Sequence, residues 1–279
     1  MNIESVVLDF DGTITDVDKE SVPVVEGWKE DVGKELCFTN KEIQKRWNNA
    51  EIKIRDNPKK YGWIRGGKII APACADPLVM ATVVTQVLFD EEKKYMDLNE
   101  REELIQKRFF IKNYEKAITV FKEGTDDFLS ELKKMFNVYI VTNSDTSKVS
   151  EKIKEILTNH SSIPIYGNAK KYNLNLDWKE VPESIEREGF GRPLFLQREQ
   201  YWNVLQKIMQ ENNIESEQMA VVGDIYELDL LLPEYKEMVT ILTPRDTTAD
   251  FELKAVNSYS KGYVTKNLVD VIKYLKLYK

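Results

Sequence analysis

Short apolar runs recur along the chain, with amphipathic helical patterns between them. The runs lie at residues 6–8, 138–141, 163–166, 219–222 and 239–242. They are nearly continuous rather than alternating, which is typical of strands that are buried on both faces. The sequence therefore predicts an α/β protein whose parallel sheet is covered by helices on both sides.

The region between the first two runs breaks this order. Helical patterns cover residues 40–54 and 78–94, and charged runs lie beside them, but no buried parallel strand is evident. We therefore predict a mostly α-helical domain at residues 19–115, inserted into a core that consists of residues 1–18 and 116–279.

A smaller insertion is predicted within the core, at about residues 167–192. Residues 172–177 of this segment read Tyr-Asn-Leu-Asn-Leu-Asp, so that polar and apolar residues alternate. An alternation of this kind is typical of an extended excursion or a hairpin.

The composition excludes several classes of protein. The chain has only one histidine, His160, and it follows two polar residues in a predicted turn. A histidine-based triad and a histidine-rich metal site are therefore excluded. Cys37 and Cys74 form no metal-type pair, so a reducing cytoplasm is expected. The net charge of −7 argues against a nucleic acid partner. Because no apolar run approaches the roughly 20 residues that span a bilayer, we expect no membrane partner either.

Polar residues follow three of the predicted strands. The first strand precedes two carboxylates, the second a hydroxyl and an amide, and the fourth two more carboxylates. These residues are Asp9, Asp11, Thr142, Asn143, Asp224 and Asp229. Because ligands bind beyond the carboxyl ends of parallel strands, we expect these side chains to meet at one site.

A group of carboxylates at one site repels itself unless a cation binds there. Mg²⁺ is a hard divalent ion that prefers such oxygen ligands and commonly takes a substrate phosphate as another. Asp9 and Asp224 fit as direct ligands, and the backbone carbonyl of Asp11 fits as a third. We therefore expect Mg²⁺ as the cofactor.

A carboxylate is the best nucleophile that the chain offers, because no serine elbow, suitable cysteine motif or histidine base is present. We expect Asp9 to attack phosphorus and form an aspartyl-phosphate, while Asp11 protonates the leaving oxygen and later activates water. The hydroxyl of Thr142 and nearby N–H groups are expected to hold the phosphoryl oxygens. The substrate-binding candidates in this region are Gly12, Thr13 and Asn143.

Three of these motifs resemble, in the same order, the signature motifs of the haloacid dehalogenase-like (HAD) superfamily. They are Asp9-Phe-Asp-Gly-Thr13, the strand that ends in Thr142-Asn143, and Gly223-Asp224-x4-Asp229. The resemblance covers the core and leaves out the details of the inserted domain. It implies a Rossmann-like sheet and a Mg²⁺-dependent hydrolase that acts through an aspartyl-phosphate.

The resemblance has further implications for individual parts of the chain. It implies that Asp229 binds the metal or orients its waters, and that the inserted domain is a C1-type cap. In having an acid at the position of Asp11, the chain resembles the phosphatase and phosphomutase branch of the family, since the dehalogenase branch lacks an acid there. We therefore expect a phosphatase for a small phosphorylated metabolite. A phosphomutase and a non-catalytic, regulatory binding protein remain as alternatives.

The third motif of the family, a lysine near the start of the helix before the fourth strand, is matched poorly. Arg198 lies where that helix is expected to begin, and it is our first choice for the catalytic cation. Arg192 is the second choice and a candidate for substrate binding. Lys170 or Lys171 is the third. An arginine can bridge a phosphate and a carboxylate with its planar fork.

Residues 59–68 of the inserted domain combine positive charge, an aromatic ring and two adjacent glycines. Trp63, Arg65 and Lys68 offer a flat surface and two cations, and the pair Gly66-Gly67 permits a tight turn. One interpretation is a substrate-specificity loop in which Arg65 and Lys68 bind the substrate. The other is a surface turn between helices.

The catalytic motifs also have purely structural interpretations. Asp-Gly-Thr at residues 11–13 is typical of a turn with a helix N-cap, and residues 142–145 are a possible N-cap cluster. Asp224 and Asp229 are also compatible with a solvated loop. The order of the three motifs along one chain favours the catalytic interpretation.

Overall fold

The computed structural model describes residues 2–156 and 162–278, so His160 lies outside the described residues. The chain divides into two units. The core unit comprises Met1–Asp16 and Phe121–Lys279, and the inserted unit comprises Val17–Val120. Sequence analysis places the same two divisions after residue 18 and after residue 115.

Strands and helices alternate along most of the core unit. The strands of both units are β1 (Ser5–Leu8), β2 (Gly62–Arg65), β3 (Lys68–Pro72), β4 (Asn137–Val141), β5 (Ile165–Tyr166), β6 (Ser184–Ile185), β7 (Leu194–Phe195), β8 (Met219–Gly223), β9 (Val239–Leu242) and β10 (Gly262–Val264). The α-helices are α1 (Val17–Glu35), α2 (Asn40–Arg55), α3 (Pro77–Glu91), α4 (Leu98–Leu104), α5 (Lys112–Tyr114), α6 (Thr125–Met135), α7 (Thr146–Ile156), α8 (Glu199–Asn212), α9 (Leu231–Tyr235), α10 (Asp250–Ser258) and α11 (Leu268–Leu275). Two π-helical stretches, Ile105–Ile111 and Tyr226–Leu230, precede α5 and α9. Strands β5, β6 and β7 follow one another without a helix between them.

The core unit contains a six-stranded parallel sheet with the strand order β10-β9-β8-β1-β4-β5. The prediction of an α/β protein with a parallel sheet is confirmed, and each of the five predicted apolar runs contributes a strand. The edge strand β10 was not predicted. Its three residues are only partly buried, so the sequence there lacks the continuous apolar run of a central strand.

Buried side chains on both faces of β1 explain why three of its four residues are apolar. Val6 and Leu8 pack on one face with side chains from α6, α7 and α11. Val7 packs on the opposite face with side chains from α8 and α10. Successive residues of a strand point to opposite faces, so a sheet covered on both sides favours apolar residues at successive positions.

The smaller insertion of the core does not contain a strand at residues 172–177. The N–H of Asn173 donates to the carbonyl of Lys170, and the N–H of Trp178 donates to the carbonyl of Asn175, so these residues form turns. The short antiparallel ladder lies later, between β6 and β7. The alternating pattern was therefore misleading, because turns take up the backbone N–H groups that a ladder needs.

The inserted unit is mostly helical, as the sequence predicts. The patterns at residues 40–54 and 78–94 correspond to α2 and α3, which pack with α1 around a buried apolar cluster. The indole N–H of Trp28 donates to the hydroxyl of Thr85 at 3.0 Å inside this cluster. A single antiparallel hairpin, β2–β3, completes the unit. Within the described ranges, no helix is both long enough and apolar enough to cross a membrane.

The two chain segments of the core unit that border the inserted unit are hydrogen-bonded to each other. Thr15 pairs with Phe121 in an isolated antiparallel bridge. Beside it, the N–H of Lys122 donates to the carbonyl of Ile14 at 3.0 Å. The two chain segments that border the insertion are thus adjacent in the core unit.

Candidate active site

Three buried carboxylates meet at the carboxyl edge of the sheet in the core unit. Asp9 follows β1, while Asp224 and Asp229 follow β8, which is the neighbour of β1. One carboxylate oxygen from each lies within 4.8 Å of the others. The three residues are 8%, 3% and 2% exposed, respectively. We call these residues the carboxylate cluster.

A buried lysine joins two members of the carboxylate cluster. The ammonium of Lys171 donates to Asp9 Oδ1 at 2.6 Å and to Asp229 Oδ1 at 2.8 Å, and its side chain is 1% exposed. Burial lowers the pKa of Lys171, but the charges of Asp229 and Asp9 outweigh that effect and raise the pKa above its ordinary value. The two carboxylates thus favour the charged form of Lys171 beside the cluster.

Asp9 is a carboxylate that is costly to ionise. Burial, together with the charges of Asp229 and Asp11, raises the pKa of Asp9 to about 7, against the opposing effect of Lys171. The hydroxyl of Thr13 donates to Asp9 Oδ2 at 3.3 Å. A second cation at this position would favour the ionised form, which is the form that can attack an electrophile.

Asp224 has one paired oxygen and one unpaired oxygen. The Nε atom of Arg245 lies 3.0 Å from Asp224 Oδ2. Asp224 Oδ1 is buried and accepts no hydrogen bond from the described residues. Burial raises the pKa of Asp224 well above its ordinary value, and Arg245 opposes this increase. A buried oxygen without a donor, in a group of three carboxylates, fits a hard divalent cation such as Mg²⁺.

Two glycines allow the backbone to approach this cluster closely. Gly12 has a φ of +82°, and a Cβ atom there would lie 2.3 Å from Asp224 Oδ2. A Cβ atom on Gly223 would lie 2.3 Å from Cβ of Asp229. Both distances are far below a normal contact, so the glycines of the first and last motifs are required by packing.

Asp11 lies beside the cluster and contacts the strand end of β4. The hydroxyl of Ser144 donates to Asp11 Oδ2 at 2.6 Å, and that of Thr142 donates at 3.4 Å. The N–H of Ser144 in turn donates to the hydroxyl of Thr142 at 3.1 Å. Sequence analysis singled out Thr142 and missed Ser144, although its position three residues beyond the strand was a usable signal.

The four basic candidates for the third motif occupy different positions. Lys171 contacts the carboxylate cluster, whereas Lys170 is exposed. The guanidinium of Arg198 is buried and donates to the backbone carbonyl of Lys171, and burial lowers the pKa of Arg198 to about 10. Arg192 forms a two-pronged ion pair with Glu227. Arg198, the first choice from the sequence, thus supports the backbone of Lys171, which belongs to the third choice.

The loop after β5 explains why Lys171 was difficult to identify. Asn168 and Lys170 have positive φ angles of 52° and 48°, and Lys171 follows them into the interior. The side chain of Asn143 accepts a hydrogen bond from the N–H of Lys171 at 2.8 Å. Asn143 therefore positions this loop, and the lysine enters the site from a turn rather than from the start of α8.

Arg65 and Lys68 belong to the inserted unit. They are paired across the end of the β2–β3 hairpin, and Gly66 and Gly67 form its turn with φ angles of 53° and 73°. Arg65 is exposed and Lys68 is partly exposed. The guanidinium of Arg65 lies 6.0 Å from the ring centre of Trp63. The segment is thus a hairpin tip that carries two cations and an aromatic ring.

Known proteins share the features of this chain at the level of family and fold. A family model described as haloacid dehalogenase-like hydrolase matches residues 3–232. Comparison with curated proteins gives no match. Among solved structures, the HAD-hydrolase YfnB from Bacillus subtilis, bound to magnesium, has a TM-score of 0.57 at 14% identity, with 99% of each chain covered.

Two further solved structures are similar over almost the whole chain. A predicted phosphoglycolate phosphatase from Haemophilus somnus 129PT has a TM-score of 0.56 at 12% identity, with 98% of each chain covered. The haloacid dehalogenase-like family protein SP0104 from Streptococcus pneumoniae has a TM-score of 0.51 at 17% identity, also with 98% of each chain covered. At these identities the similarity shows a shared fold.

The raised pKa of Asp9 predicts a pH-dependent stability in the absence of metal. The unfolded chain releases the proton of Asp9 near pH 3.8, whereas the folded protein keeps it to about pH 7. The folded state therefore binds more protons in this interval, and the contribution of Asp9 to the free energy of unfolding falls as pH rises. We expect Asp9→Asn to remove a fall on the order of 2–4 kcal/mol between pH 4 and 7.

Urea unfolding in the presence of EDTA measures this effect at several pH values. Asp127→Asn is the control, because it makes the same chemical change at an exposed aspartate on α6, and it is expected to keep the pH dependence of the wild type. Equal slopes for the wild type and Asp9→Asn would contradict the assignment of a buried, protonated Asp9.

Proposed function

The chain belongs to the haloacid dehalogenase-like hydrolases, and on that premise we propose that it is a Mg²⁺-dependent phosphatase for a small phosphorylated metabolite. The observation that carries the proposal is the contact of Lys171 with both Asp9 and Asp229, beside a third buried carboxylate. Asp11, two residues after Asp9, adds an acid held by two hydroxyl groups. Together these groups supply a nucleophile, a proton carrier and a cation.

Asp9 is the proposed nucleophile. One of its carboxylate oxygens attacks phosphorus, the bond from phosphorus to the ester oxygen breaks, and an aspartyl-phosphate forms. A water molecule then attacks the phosphorus of that intermediate, which releases inorganic phosphate and restores Asp9. A bound Mg²⁺ ion, held by Asp9, Asp224 and Asp229, would supply positive charge that keeps Asp9 ionised and offsets the charge of the phosphoryl group.

Asp11 is the proposed proton carrier. It donates a proton to the leaving oxygen in the first step and takes a proton from the attacking water in the second, so that protons balance over the cycle. The hydroxyl groups of Ser144 and Thr142 both contact Asp11 Oδ2 and hold the carboxyl group in one orientation. Asp11 supports a phosphatase, since the acid has no use in dehalogenation by an aspartate.

We propose Lys171, in place of Arg198, as the cation of the third motif. Its ammonium already contacts the proposed nucleophile, so the same group can contact a phosphoryl oxygen during transfer. Arg198 has a supporting role, because its guanidinium holds the carbonyl of Lys171 from the side of α8. Gly12, Thr13 and Asn143 lie in the loops around this cation and remain proposed binding positions for the phosphoryl group.

The inserted unit is proposed to act as the C1-type cap and to recognise the leaving group. The tip of its β2–β3 hairpin presents Arg65 and Lys68, beside Trp63. Two cations and an aromatic ring suit an anionic or planar part of a phosphorylated metabolite. The proposal for Arg65 and Lys68 rests on the chemistry of this tip.

The proposed activity predicts phosphate release from an aryl phosphate that depends on Mg²⁺. We expect release by the wild-type chain, loss of release with EDTA, and background rates for Asp9→Asn, because no other nucleophile is available. Asp127→Asn, an exposed aspartate on α6, is the matched control and is expected to keep full activity. Isomerised product without free phosphate would point to a phosphomutase instead, and halide release from 2-haloacids alone would point to a dehalogenase.

The assignment of the third motif predicts unequal effects for Lys171 and Arg198. Lys171→Met is expected to lower kcat by about 10²–10³-fold, since a preorganised cation is lost from the reacting centre. Arg198→Lys is expected to cause a smaller loss, because it disturbs only the backbone support. Lys170→Met is the matched control, since Lys170 is adjacent to Lys171 in the chain and its own side chain is exposed. Steady-state kinetics of the three variants measures these effects. A larger loss of kcat for Arg198→Lys than for Lys171→Met would favour Arg198 as the catalytic cation.

The hairpin tip predicts an effect on substrate choice. A panel of phosphate esters is compared between the wild type, Arg65→Ala and Lys68→Ala. We expect lower kcat/KM for the preferred ester and little change for the poorest ones, because only the preferred leaving group uses these cations. Lys45→Ala, an exposed lysine on α2, is the control. If kcat/KM for every ester is unchanged in both variants, residues 59–68 are a surface turn without a role in substrate choice.

A further inference from the structure

We infer that Arg245 is a positioning residue of the cation site: it holds one oxygen of Asp224 so that the other is left to bind a divalent ion. The inference rests on the cation site of the proposed function. Nothing in the sequence motifs pointed to this arginine, which lies three residues beyond the end of β9. Its contact with Asp224 places it at the same sheet edge as the carboxylate cluster.

The two oxygens of Asp224 have different surroundings. Oδ2 lies 3.0 Å from Nε of Arg245, and it is also the atom that a Cβ on Gly12 would meet first, at 2.3 Å. Oδ2 is thus confined between a guanidinium and the backbone of the first motif. Oδ1, which is buried, accepts no hydrogen bond from the described residues. The carboxylate is therefore oriented with a single free oxygen.

The loop that carries Arg245 is fixed to the strand that carries Asp224. β9 pairs with β8, and beyond their last paired residues the N–H of Thr243 donates to the carbonyl of Gly223 at 2.8 Å. The N–H of Arg245 donates to the hydroxyl of Thr248 at 2.9 Å, and the N–H of Thr248 returns a bond to the carbonyl of Arg245 at 3.0 Å. This closed turn sets the position of the guanidinium relative to Asp224.

Charge gives Arg245 a second effect. The guanidinium of Arg245 is in direct contact with Asp224, so it offsets part of the repulsion between Asp224 and the other two carboxylates of the cluster. Arg245 is buried, with 4% of its side chain exposed, so its charge acts on Asp224 with little screening by solvent.

Removal of this arginine leaves Asp224 without its partner and free to turn. Removal of a group that hydrogen-bonds to a metal ligand and orients it commonly weakens metal binding by about 10–100-fold. A lysine at the same position restores the charge incompletely. The contact is made by Nε, which corresponds to a carbon atom in lysine, so the ammonium must fold back to reach Oδ2.

The test is the affinity of the substrate-free chain for Mg²⁺, measured by isothermal titration calorimetry. We expect Arg245→Gln to weaken binding by about tenfold or more and Arg245→Lys to weaken it by roughly two- to fivefold. Arg187→Gln is the matched control, because Arg187 pairs with the buried Glu234 elsewhere in the core unit. It is expected to lower stability without changing the affinity for Mg²⁺.

Affinity equal to or tighter than that of the wild type, in either Arg245 variant, overturns the inference, since it shows that the guanidinium competes with the cation or is inert. Circular dichroism identifies a variant that fails to fold, and Arg245→Lys then decides alone. A wild-type chain that binds no Mg²⁺ overturns this inference together with the cation site. A chain that binds Mg²⁺ but releases no phosphate contradicts only the proposed activity.

Discussion

The ion pair of Lys171 with Asp9 and Asp229 is the interaction on which the site depends. Three carboxylates placed within 4.8 Å of one another, almost without solvent, oppose folding unless positive charge accompanies them. Asn143 holds the N–H of Lys171 and Arg198 holds its carbonyl, so the cation is fixed through its backbone. Removal of either carboxylate leaves a buried ammonium that is only half paired, which makes the cluster a cooperative unit.

Helix α8 also supports this ion pair, through Tyr201. The hydroxyl of Tyr201 donates to the backbone carbonyl of Asp229 at 2.9 Å, and the ammonium of Lys171 lies 5.4 Å from the centre of the tyrosine ring. One buried aromatic residue thus contacts the backbone of one member of the pair and the charge of the other. Sequence analysis expected Arg198, at the start of this helix, to supply the catalytic cation. The helix also packs against Lys171 through Tyr201.

Sequence alone was sufficient for the features that depend on local patterns. The continuous apolar run of β1 and the carboxylates that follow it predicted a buried parallel strand with a site at its end, and Asp9, Asp224 and Asp229 do meet there. Lys171, Ser144 and Arg245 depend on loops whose paths are set by left-handed residues and by long-range hydrogen bonds. The alternation at residues 172–177 was misleading because turns within the loop take up the N–H groups of Asn173 and Trp178.

The bridge between Thr15 and Phe121 makes the inserted unit interchangeable in principle. Since the two ends of the interruption already lie side by side, a short turn can join them without shifting β1 or the residues of its carboxyl end. Insertions of different length and sequence can therefore be exchanged at this junction as genetic cassettes. The carboxylates are held by contacts within the core unit, so under the role proposed for the inserted unit a single recombination event would change the leaving group that the core accepts.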